Sequence, residues 1–362
     1  EFLPVSLLTL LAADLQVSEG LVGQGIAISG AFAVVTSLLV TRIAGDINRR
    51  TLLLGFTALM GVSGAVIASA PNYAIYMVGR ALIGVVVGGF WSMSAATAMR
   101  LVPRADVPHA LAIFNSGNAL ATVIAAPLGA WLGAIIGWRC TFFCLVPIAL
   151  LTFVWQSISL PSMPVESKNL NSHNLFSLFR QRIVALGMLG VGLFFMGQFV
   201  LFTYLRPFLE TITRFNVAQV TLALLVIGIA GFIGTLMIGR MIKQSLYLPL
   251  IFIPLLMAVI AIALVAFGSW PVAVIGLLGF WGLISTAAPV GWWAWLARTL
   301  PNDAEAGGGL IVATIQLSIA SGSTLGGLLF DWNGYQITFV ASAILLLIAA
   351  TLVFVTARMT QR

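Results

Sequence analysis

Residues 72–98 read NYAIYMVGRALIGVVVGGFWSMSAATA, and Arg80 is the only charged residue among them. A helix of this length can cross the ~30 Å hydrocarbon core of a bilayer. A permanent charge near the centre of such a helix costs at least ~2.5 kcal/mol, so an arginine there avoids lipid. Arg80 is therefore predicted to point into a polar interior, with an acid, a carbonyl or water as its partner.

The composition places the whole chain in the membrane class. Of its 362 residues, 60% are hydrophobic and only 7% are charged, whereas a soluble domain carries about 25% charged residues. The apolar runs last about 20 residues, which indicates helices rather than the alternating strands of a transmembrane barrel. The sequence predicts an all-α polytopic membrane protein.

Twelve apolar runs follow one another, and the first is a partial helix that we expect to be truncated at its N-terminus. The runs cover residues 1–13, 21–44, 51–70, 72–99, 107–133, 138–160, 182–209, 216–241, 247–268, 271–298, 305–330 and 335–357. The longest polar interruption is residues 161–181. We therefore expect an N-terminal six-helix bundle in residues 1–160, a cytoplasmic loop at 161–181 and a C-terminal six-helix bundle in residues 182–362.

Basic residues separate alternate loops into two sets. One set of loops and tails holds thirteen of them, namely Arg42, Arg49, Arg50, Arg100, Arg104, Lys168, Arg180, Arg182, Arg240, Lys243, Arg298, Arg358 and Arg362. The opposite set holds Arg139, Arg206 and Arg214. Because cytoplasmic loops carry the excess of Lys and Arg, this asymmetry predicts that both termini are cytoplasmic. The net charge of +7 follows from this asymmetry, and no basic stripe with interleaved aromatics indicates nucleic-acid binding.

The two halves show an internal repeat. At an offset of 197, the residues Leu128, Gly129, Leu132, Gly137, Thr141 and Phe142 match Leu325, Gly326, Leu329, Gly334, Thr338 and Phe339. At an offset of 198, the residues Gly84, Arg100 and Pro103 match Gly282, Arg298 and Pro301. Both halves would enter the membrane in the same direction, which is typical of transporters that hold their substrate between two halves. Span 5 is predicted to pair with span 11.

Three motifs link the chain to a known family. They are Arg42-Ile-Ala-Gly-Asp46-Ile-Asn48-Arg49-Arg50 after span 2, Arg80-Ala-Leu-Ile-Gly84 in span 4 and Ala126-Pro127-Leu-Gly129-Ala-Trp-Leu-Gly133 in span 5. Over essentially its whole length the chain resembles the major facilitator superfamily, in particular the bacterial drug/proton antiporter group. Within that group it is most similar to the purine-ribonucleoside and sugar efflux permeases.

The resemblance implies roles for the motif residues. Arg80 would take part in proton coupling, and Asp46, Arg49, Arg50, Gly84, Pro127, Gly129 and Gly133 would serve the conformational change of an exporter. Asp46 stands one position later than in the family pattern, and Asn48 occupies a glycine position, where we expect it to adopt the left-handed conformation. The alternative roles are orientation by Arg49 and Arg50, carbonyl binding by Arg80 and helix packing in span 5.

Glu1 is the predicted carrier of the coupled proton. Of the ten acidic residues, it is the one that this topology places deep in the membrane. Glu1-Phe-Leu-Pro4 also resembles the start of the family's first span. The alternative is that Glu1 binds substrate by hydrogen bonds and carries no proton.

Aromatic and amide residues inside the spans are the candidates for binding substrate. They are Trp91, Asn115, Asn118, Gln198, Phe202, Trp281, Trp292 and Gln316. Intramembrane polar groups either serve function or join helices, and the sequence leaves both open. Tyr204 and Trp295 stand near span ends and are expected at the lipid–water interface.

The sequence predicts a transporter rather than an enzyme. It offers no catalytic set, and it lacks the phosphate-binding loop of an ATP-driven pump. We expect a monomer in the bacterial inner membrane that requires no cofactor or metal and whose partners are a small solute, protons and lipid. The leading hypothesis is a proton-coupled exporter of small solutes, with purine nucleosides as the candidate solutes. The alternatives are a sugar or drug exporter, a proton-coupled uptake symporter and a membrane sensor that transports nothing.

Overall fold

All regular structure in the described part of the chain is helical. The computed structural model describes residues 3–44, 47–101, 107–164, 180–300 and 304–360. The helices are α1 Leu3–Leu15, α2 Glu19–Ala44, α3 Arg49–Ala68, α4 Tyr73–Leu101, α5 Val107–Phe143, α6 Leu145–Ser159, α7 Arg182–Phe202, α8 Leu205–Thr211, α9 Val217–Gln244, α10 Tyr247–Phe267, α11 Pro271–Ser285, α12 Ala288–Thr299 and α13 Ala304–Thr360. Within the described ranges, nine helical segments are long and apolar enough to cross a membrane.

The segment α13 contains two spans. Its 57 residues would extend ~85 Å as one helix, far more than the ~30 Å hydrocarbon core. Gly334 breaks the helix with φ 72° and ψ −166°, a region that favours glycine. Contacts with α7 run in opposite directions on the two sides of the break: Gly322 with Met196, Gly326 with Val200, Ser342 with Gly197 and Val353 with Gly190. The chain therefore reverses at Gly334.

The segment α5 has the same break at Gly137, where φ is 79° and ψ is 160°. Before it, Gly129 and Gly133 pack on α1, and after it the chain runs back along α3. Dividing α5–α6 and α13 at these glycines, and joining α7 with α8 and α11 with α12, gives eleven spans plus α1. This is the predicted count.

Two spans are broken at positions that the sequence did not fully predict. The seventh span is interrupted at Thr203–Tyr204, between α7 and α8. The tenth is interrupted at Thr286–Ala287, before Pro289 in the first turn of α12. Pro289 has no N–H, and its ring would clash with the carbonyl of Ser285 in a continuous helix. The break therefore falls one turn ahead of the proline.

The contacts of the two halves repeat at the predicted offset. A Cβ on Gly84 would overlap Ser29, and one on Gly282, 198 positions later, would overlap Ile227, which is 198 positions after Ser29. A second pair of contacts repeats in the same way. Gly129 lies beside Ser6, and Gly326, 197 positions after Gly129, lies beside Tyr204, which is 198 positions after Ser6. The fold therefore consists of two six-helix bundles built alike, and the predicted pairing of span 5 with span 11 is confirmed. The boundaries given to the bundles and the cytoplasmic side of residues 161–181 stay predictions.

The halves meet along two equivalent seams. In one seam α2 packs on α13, with Gly30 beside Ala320, and in the other α9 packs on α5, with Gly228 beside Val123. Gly228 lies 198 positions after Gly30, and Ala320 lies 197 after Val123. A pseudo-twofold relation between the halves therefore exchanges the two seams.

Alternate loops lie at opposite ends of the molecule. We call one end the basic face, where contacts join Asn48 to Ser162, Arg298 to the Ile242 carbonyl and Tyr247 to Thr360. We call the other end the far face, where contacts join Asp14 to Arg139, Arg139 to the Ala70 carbonyl, Ser18 to Asp331 and Thr213 to the Gly268 carbonyl. This is the alternation that the loop charges predicted.

The expected interfacial position of two aromatics was wrong. Tyr204 is 0% exposed and Trp295 is 1% exposed. Tyr204 fills the space above Gly23 and Gly327, whereas Trp295 lies on Gly187. Glycines on the facing helices make these flat spaces, so both rings are buried between helices.

Candidate functional site

Arg80 is buried between α4 and α2, away from lipid. It is 1% exposed, its Nε donates to the Gly25 carbonyl at 2.9 Å, and its Nη2 donates to Ser29 Oγ at 3.0 Å. The Ser29 hydroxyl in turn donates to the Ile26 carbonyl at 2.9 Å. The predicted protein partner of the guanidinium is therefore present, in the form of a carbonyl and a hydroxyl of α2.

Glycines of α4 allow this close approach. A Cβ on Gly84 would overlap the Ser29 carbonyl, and one on Gly88 would overlap the Ala33 carbonyl. Small residues let membrane helices come close enough for a side chain to reach the backbone of its neighbour. Gly84 thus fixes the distance at which Arg80 meets α2.

The C-terminal half has the same packing without the polar groups. The positions 198 residues after Arg80, Ser29 and Gly25 are Leu278, Ile227 and Ala223. All three are buried apolar side chains. Because an apolar set fills the equivalent space, helix packing does not require an arginine at position 80.

Tyr76 lies one helical turn before Arg80 and adds an unpaired hydroxyl to the pocket. Its side chain is 0% exposed and would overlap a Cβ on Gly25. Among the described residues its hydroxyl has no hydrogen-bond partner. Because an unpaired buried polar group costs about 1–3 kcal/mol, this O–H is available to a water molecule or to a group that enters the pocket.

Two predicted substrate residues of the C-terminal half, Trp292 and Phe202, make aromatic contacts. Trp292 of α12 contacts Phe194 of α7, with ring centroids 6.4 Å apart, and Trp295 at 6.0 Å. Gln198 is one turn after Phe194 on the same face of α7. Phe202 packs edge-on against Phe199 at 6.0 Å. Trp292 of span 10 therefore packs on span 7 one turn before Gln198, and Trp281 and Phe202 belong to the same hydrophobic core.

Four buried polar atoms of this half have no partner in the described part of the protein. They are Gln198 Oε1 and the indole Nε1 atoms of Trp281, Trp292 and Trp295. Buried polar groups are nearly always paired, so each exception asks for an explanation. One explanation is a solute that accepts hydrogen bonds from the indoles and donates one to Gln198 in another state of the protein.

Two other candidates lie where the halves meet. Trp91 packs against a core composed mainly of C-terminal residues. Gln316 is 6% exposed, and its backbone carbonyl would lie 2.8 Å from a Cβ on Gly30. Asn115 and Asn118 belong to α5, but their side chains lie outside the description. Glu1 and Asp46 lie outside the described residues.

The span 5 motif packs against α1 and lines the second seam. A Cβ on Gly129 would meet Ser6 Oγ, and one on Gly133 would overlap Leu7. Pro127 lines an apolar groove of about 290 Å³ between α5 and α9, together with Trp131. These residues pack helices, and their conformational role stays a prediction.

The loop before α3 ties two elements of one half together. Asn48 is the N-cap of α3, with φ −54° and ψ 128°, so the expected left-handed conformation was wrong. Its Oδ1 accepts from the N–H groups of Arg50 and Met163 at 3.0 Å, which explains the residue without a positive φ. The Arg50 guanidinium donates to the Ser157 carbonyl of α6. Arg49 joins through its N–H to the Met163 carbonyl at 3.1 Å.

A set of residues at the far face was not predicted from the sequence. Arg206 is 2% exposed, donates to the Ser6 carbonyl and pairs with Glu210 at 2.8 Å. Asp331 contacts the start of α2. One signal was present: Arg206 and Asp331 are charges near span ends on the side with few basic residues.

Comparisons with known proteins agree with this architecture. The sequence profile of the Major Facilitator Superfamily matches residues 1–311. The transcription regulatory protein OpdE of Pseudomonas aeruginosa is 64% identical over 99% of this chain and 90% of its own length. The purine ribonucleoside efflux pump NepI of Salmonella enteritidis is 39% identical over the same shares. The crystal structure of a D-xylose-proton symporter superposes with a TM-score of 0.78 at 17% identity, covering 97% of this chain and 92% of that one.

Proposed function

We propose that this chain, which belongs to the major facilitator superfamily of membrane transporters and is not an enzyme, exports small solutes in exchange for protons. The observation that carries the proposal is the pocket of Arg80. An intramembrane charge is costly and is usually kept for function, and the equivalent Leu278 makes the same packing with no charge.

We assign the coupled proton to Glu1. Leu3 of α1 packs on Gly129 of α5. Gly129 lies eight residues before the break at Gly137, which is ~12 Å along a helix. Leu3 is thus well inside the ~30 Å core. A carboxyl group carried just ahead of Leu3 could take up and release a proton as the two sides gain access in turn. Arg80 in the same half would be the positive charge that opposes its protonation.

We assign solute binding to Gln198, Trp281 and Trp292 of the C-terminal half, whose buried side-chain atoms Oε1 and Nε1 have no partner among the described residues. These unpaired donors and this acceptor suit a flat, polar solute with ring nitrogens and hydroxyl groups. A purine nucleoside has that chemistry, and a relative at 39% identity is named a purine ribonucleoside efflux pump. A sugar satisfies the hydrogen bonds but not the extended aromatic surface.

We infer that the protein lies in a bacterial inner membrane with its basic face toward the cytoplasm, because loops rich in Lys and Arg remain on the cytoplasmic side. The test of function uses inside-out vesicles and tritiated inosine, adenosine and xylose. An exporter accumulates solute when the vesicle lumen is acidified and loses it when the gradient is collapsed. A symporter gives the opposite dependence on the direction of the gradient.

A second candidate is a regulatory membrane protein that moves no solute, since a relative at 64% identity is named a transcription regulatory protein. A transporter can also affect transcription, because it changes the internal concentration of a molecule that a regulator binds. Reconstituted vesicles that contain only this chain separate the two. Uphill flux supports the transporter, whereas binding without flux for every tested solute supports the sensor.

A further inference from the structure

Asp331 of the C-terminal half completes the N-terminal end of α2 in the other half. Its carboxylate accepts from the Ser18 hydroxyl at 2.5 Å and from the Gly20 N–H at 3.1 Å. Ser18 Oγ accepts from the Leu21 N–H at 3.1 Å. A carboxylate at a helix N-terminus pairs free N–H groups and faces the positive end of the helix dipole. Helix α2 thus takes part of its cap from the opposite half.

Tyr204 closes the same seam one turn deeper. Its hydroxyl donates to the Ser323 carbonyl at 2.8 Å and lies 3.5 Å from the Gly20 carbonyl. A Cβ on Gly327 would lie 3.0 Å from Gly20 Cα. The backbones of α2 and α13 therefore touch at this level, and no solute can pass between them while the contact lasts.

A third contact crosses the halves at this end. The buried Arg206 guanidinium of α8 donates to the Ser6 carbonyl of α1 and is held in place by Glu210. Within the described part of the chain, the polar contacts between the halves at the far face thus come from Asp331, Tyr204 and Arg206. They join the start of α2 and the middle of α1 to α8 and α13.

Among the described residues, the equivalent positions of the second seam make no such contact. The N-cap of α9 is Asn216, 198 positions after Ser18, and it forms a capping box with Gln219 in its own helix. The position 197 residues before Asp331 is Ala134, which is exposed. Helix α9 therefore forms with a cap from its own residues, so α2 does not need the Asp331 carboxylate in order to be a helix. What Asp331 adds is a contact between the two halves.

We propose that Asp331 is the latch of the far face: its bonds to Ser18 and Gly20 hold the two halves closed at that end, and they must break for the solute pathway to open there. The proposal rests on alternating access, which the proposed function requires. Loss of an N-cap or of a charge at a helix end changes an equilibrium by about tenfold. Removing the Asp331 carboxylate should shift the open-to-closed ratio by that amount.

The experiment measures a distance and needs no transport. Ser69 and Ser269 are exposed serines in far-face loops of different halves, and each is changed to cysteine in a background with Cys140→Ser and Cys144→Ser. Nitroxide labels on both report their separation by double electron–electron resonance in lipid nanodiscs. Asp331→Ala should add a population at longer distance, about tenfold greater than in the unchanged protein.

Independent variants keep the test decisive if Asp331→Ala folds poorly. Ser18→Ala removes one bond, and Tyr204→Phe removes the hydroxyl but keeps the ring on Phe330; each should shift the distance in the same direction. A Cβ on Gly20 would overlap the Asp331 carboxylate, so Gly20→Ala should open the seam. It should add nothing further in a protein that already carries Asp331→Ala.

Asp14→Asn is the matched control. Asp14 is a partly exposed carboxylate at the same face, but its ion pair with Arg139 lies within one half. The Asp14→Asn change should leave the distance distribution unchanged. A distribution for Asp331→Ala that equals those of Asp14→Asn and the unchanged protein would overturn the latch. The latch variants could show the longer distance while the protein shows no proton-driven flux. That result would contradict the proposed function and not the latch.

Discussion

Arg80 in α4 and Leu278 in α11 occupy equivalent positions of the two halves, and both are buried, at 1% and 0% exposure. The packing around them is also equivalent, since Gly84 meets Ser29 where Gly282 meets Ile227. Apolar side chains thus fill this space in the C-terminal half, and a guanidinium fills it in the N-terminal half. Helix packing therefore does not need the charge, which is why we propose a functional use for it.

The change Arg80→Leu copies the other half and should preserve the fold. We expect a melting temperature close to that of the unchanged protein, with proton-driven uptake of nucleoside into inside-out vesicles reduced at least tenfold. Solute binding, measured by isothermal calorimetry, should persist. Arg80→Lys keeps the charge but not the fork geometry and should retain part of the activity. Full uphill transport by Arg80→Leu would show that the pocket is structural.

Glu1→Gln should uncouple transport from protons. The amide keeps the shape and hydrogen bonding of the acid but does not titrate. Uphill flux should therefore vanish while solute binding remains and becomes nearly independent of pH. The comparison is Asp14→Asn, which removes a carboxylate from the far face and should leave coupling intact. If Glu1→Gln still accumulates solute against its gradient, Asp46 becomes the next acid to test.

Gly84→Ala should destabilise the protein and displace Arg80 from α2. The new methyl group would overlap the Ser29 carbonyl, and such overpacking costs about 1–3 kcal/mol. Gly282→Ala should have a similar effect, since its Cβ would overlap Ile227. Gly55→Ala is the control, because nothing lies within 4 Å of its Cβ. Thermal unfolding in detergent compares the three, and equal melting temperatures for all would contradict the close packing of α2 and α4.

Gln198→Leu should stabilise the free protein and weaken solute binding. Gln198 Oε1 is buried without a partner among the described residues, and removing such a group recovers about 1–3 kcal/mol of desolvation cost. Gln156 offers the opposite case, because its Oε1 accepts from the Thr57 hydroxyl at 2.7 Å. Gln156→Leu should therefore lower the melting temperature. A Gln198→Leu protein that binds nucleoside normally would exclude this side chain from the solute site.

Asn48→Gly should lower stability by about 1 kcal/mol, although glycine is the family's residue in this slot. The φ of −54° needs no glycine. Glycine serves as an N-cap almost as well as asparagine, so most of the loss comes from the Met163 N–H, which no longer has the Asn48 Oδ1 acceptor. Asn48→Asp keeps the acceptor and should lose less. Chemical denaturation of the two variants gives the comparison, and a more stable Asn48→Gly would mean that the loop adopts another conformation in solution.

Span number, loop alternation and the repeat were all predictable, because each follows from local properties of the chain. Residues 72–98 can lie only in a membrane or a large core, whatever their neighbours. Gly137 and Gly334 stand 197 positions apart in matching contexts, and both are breaks with positive φ. The burial of Arg80 also follows from the cost of exposing a charge to lipid, which depends on no particular partner.

Only the tertiary structure decided which groups meet. Tyr204 and Trp295 look like interfacial residues because they stand near span ends, yet glycines on distant segments make spaces that bury them. Asn48 fits a glycine slot by sequence but is an N-cap that also binds Met163. The sequence shows Asp331 only as an acid between two spans. In the structure it binds Ser18 and Gly20 at the start of α2, which lie more than 300 residues earlier in the chain. Hydropathy and charge fix the depth of a residue in the membrane, whereas its partner depends on how helices far apart in sequence pack together.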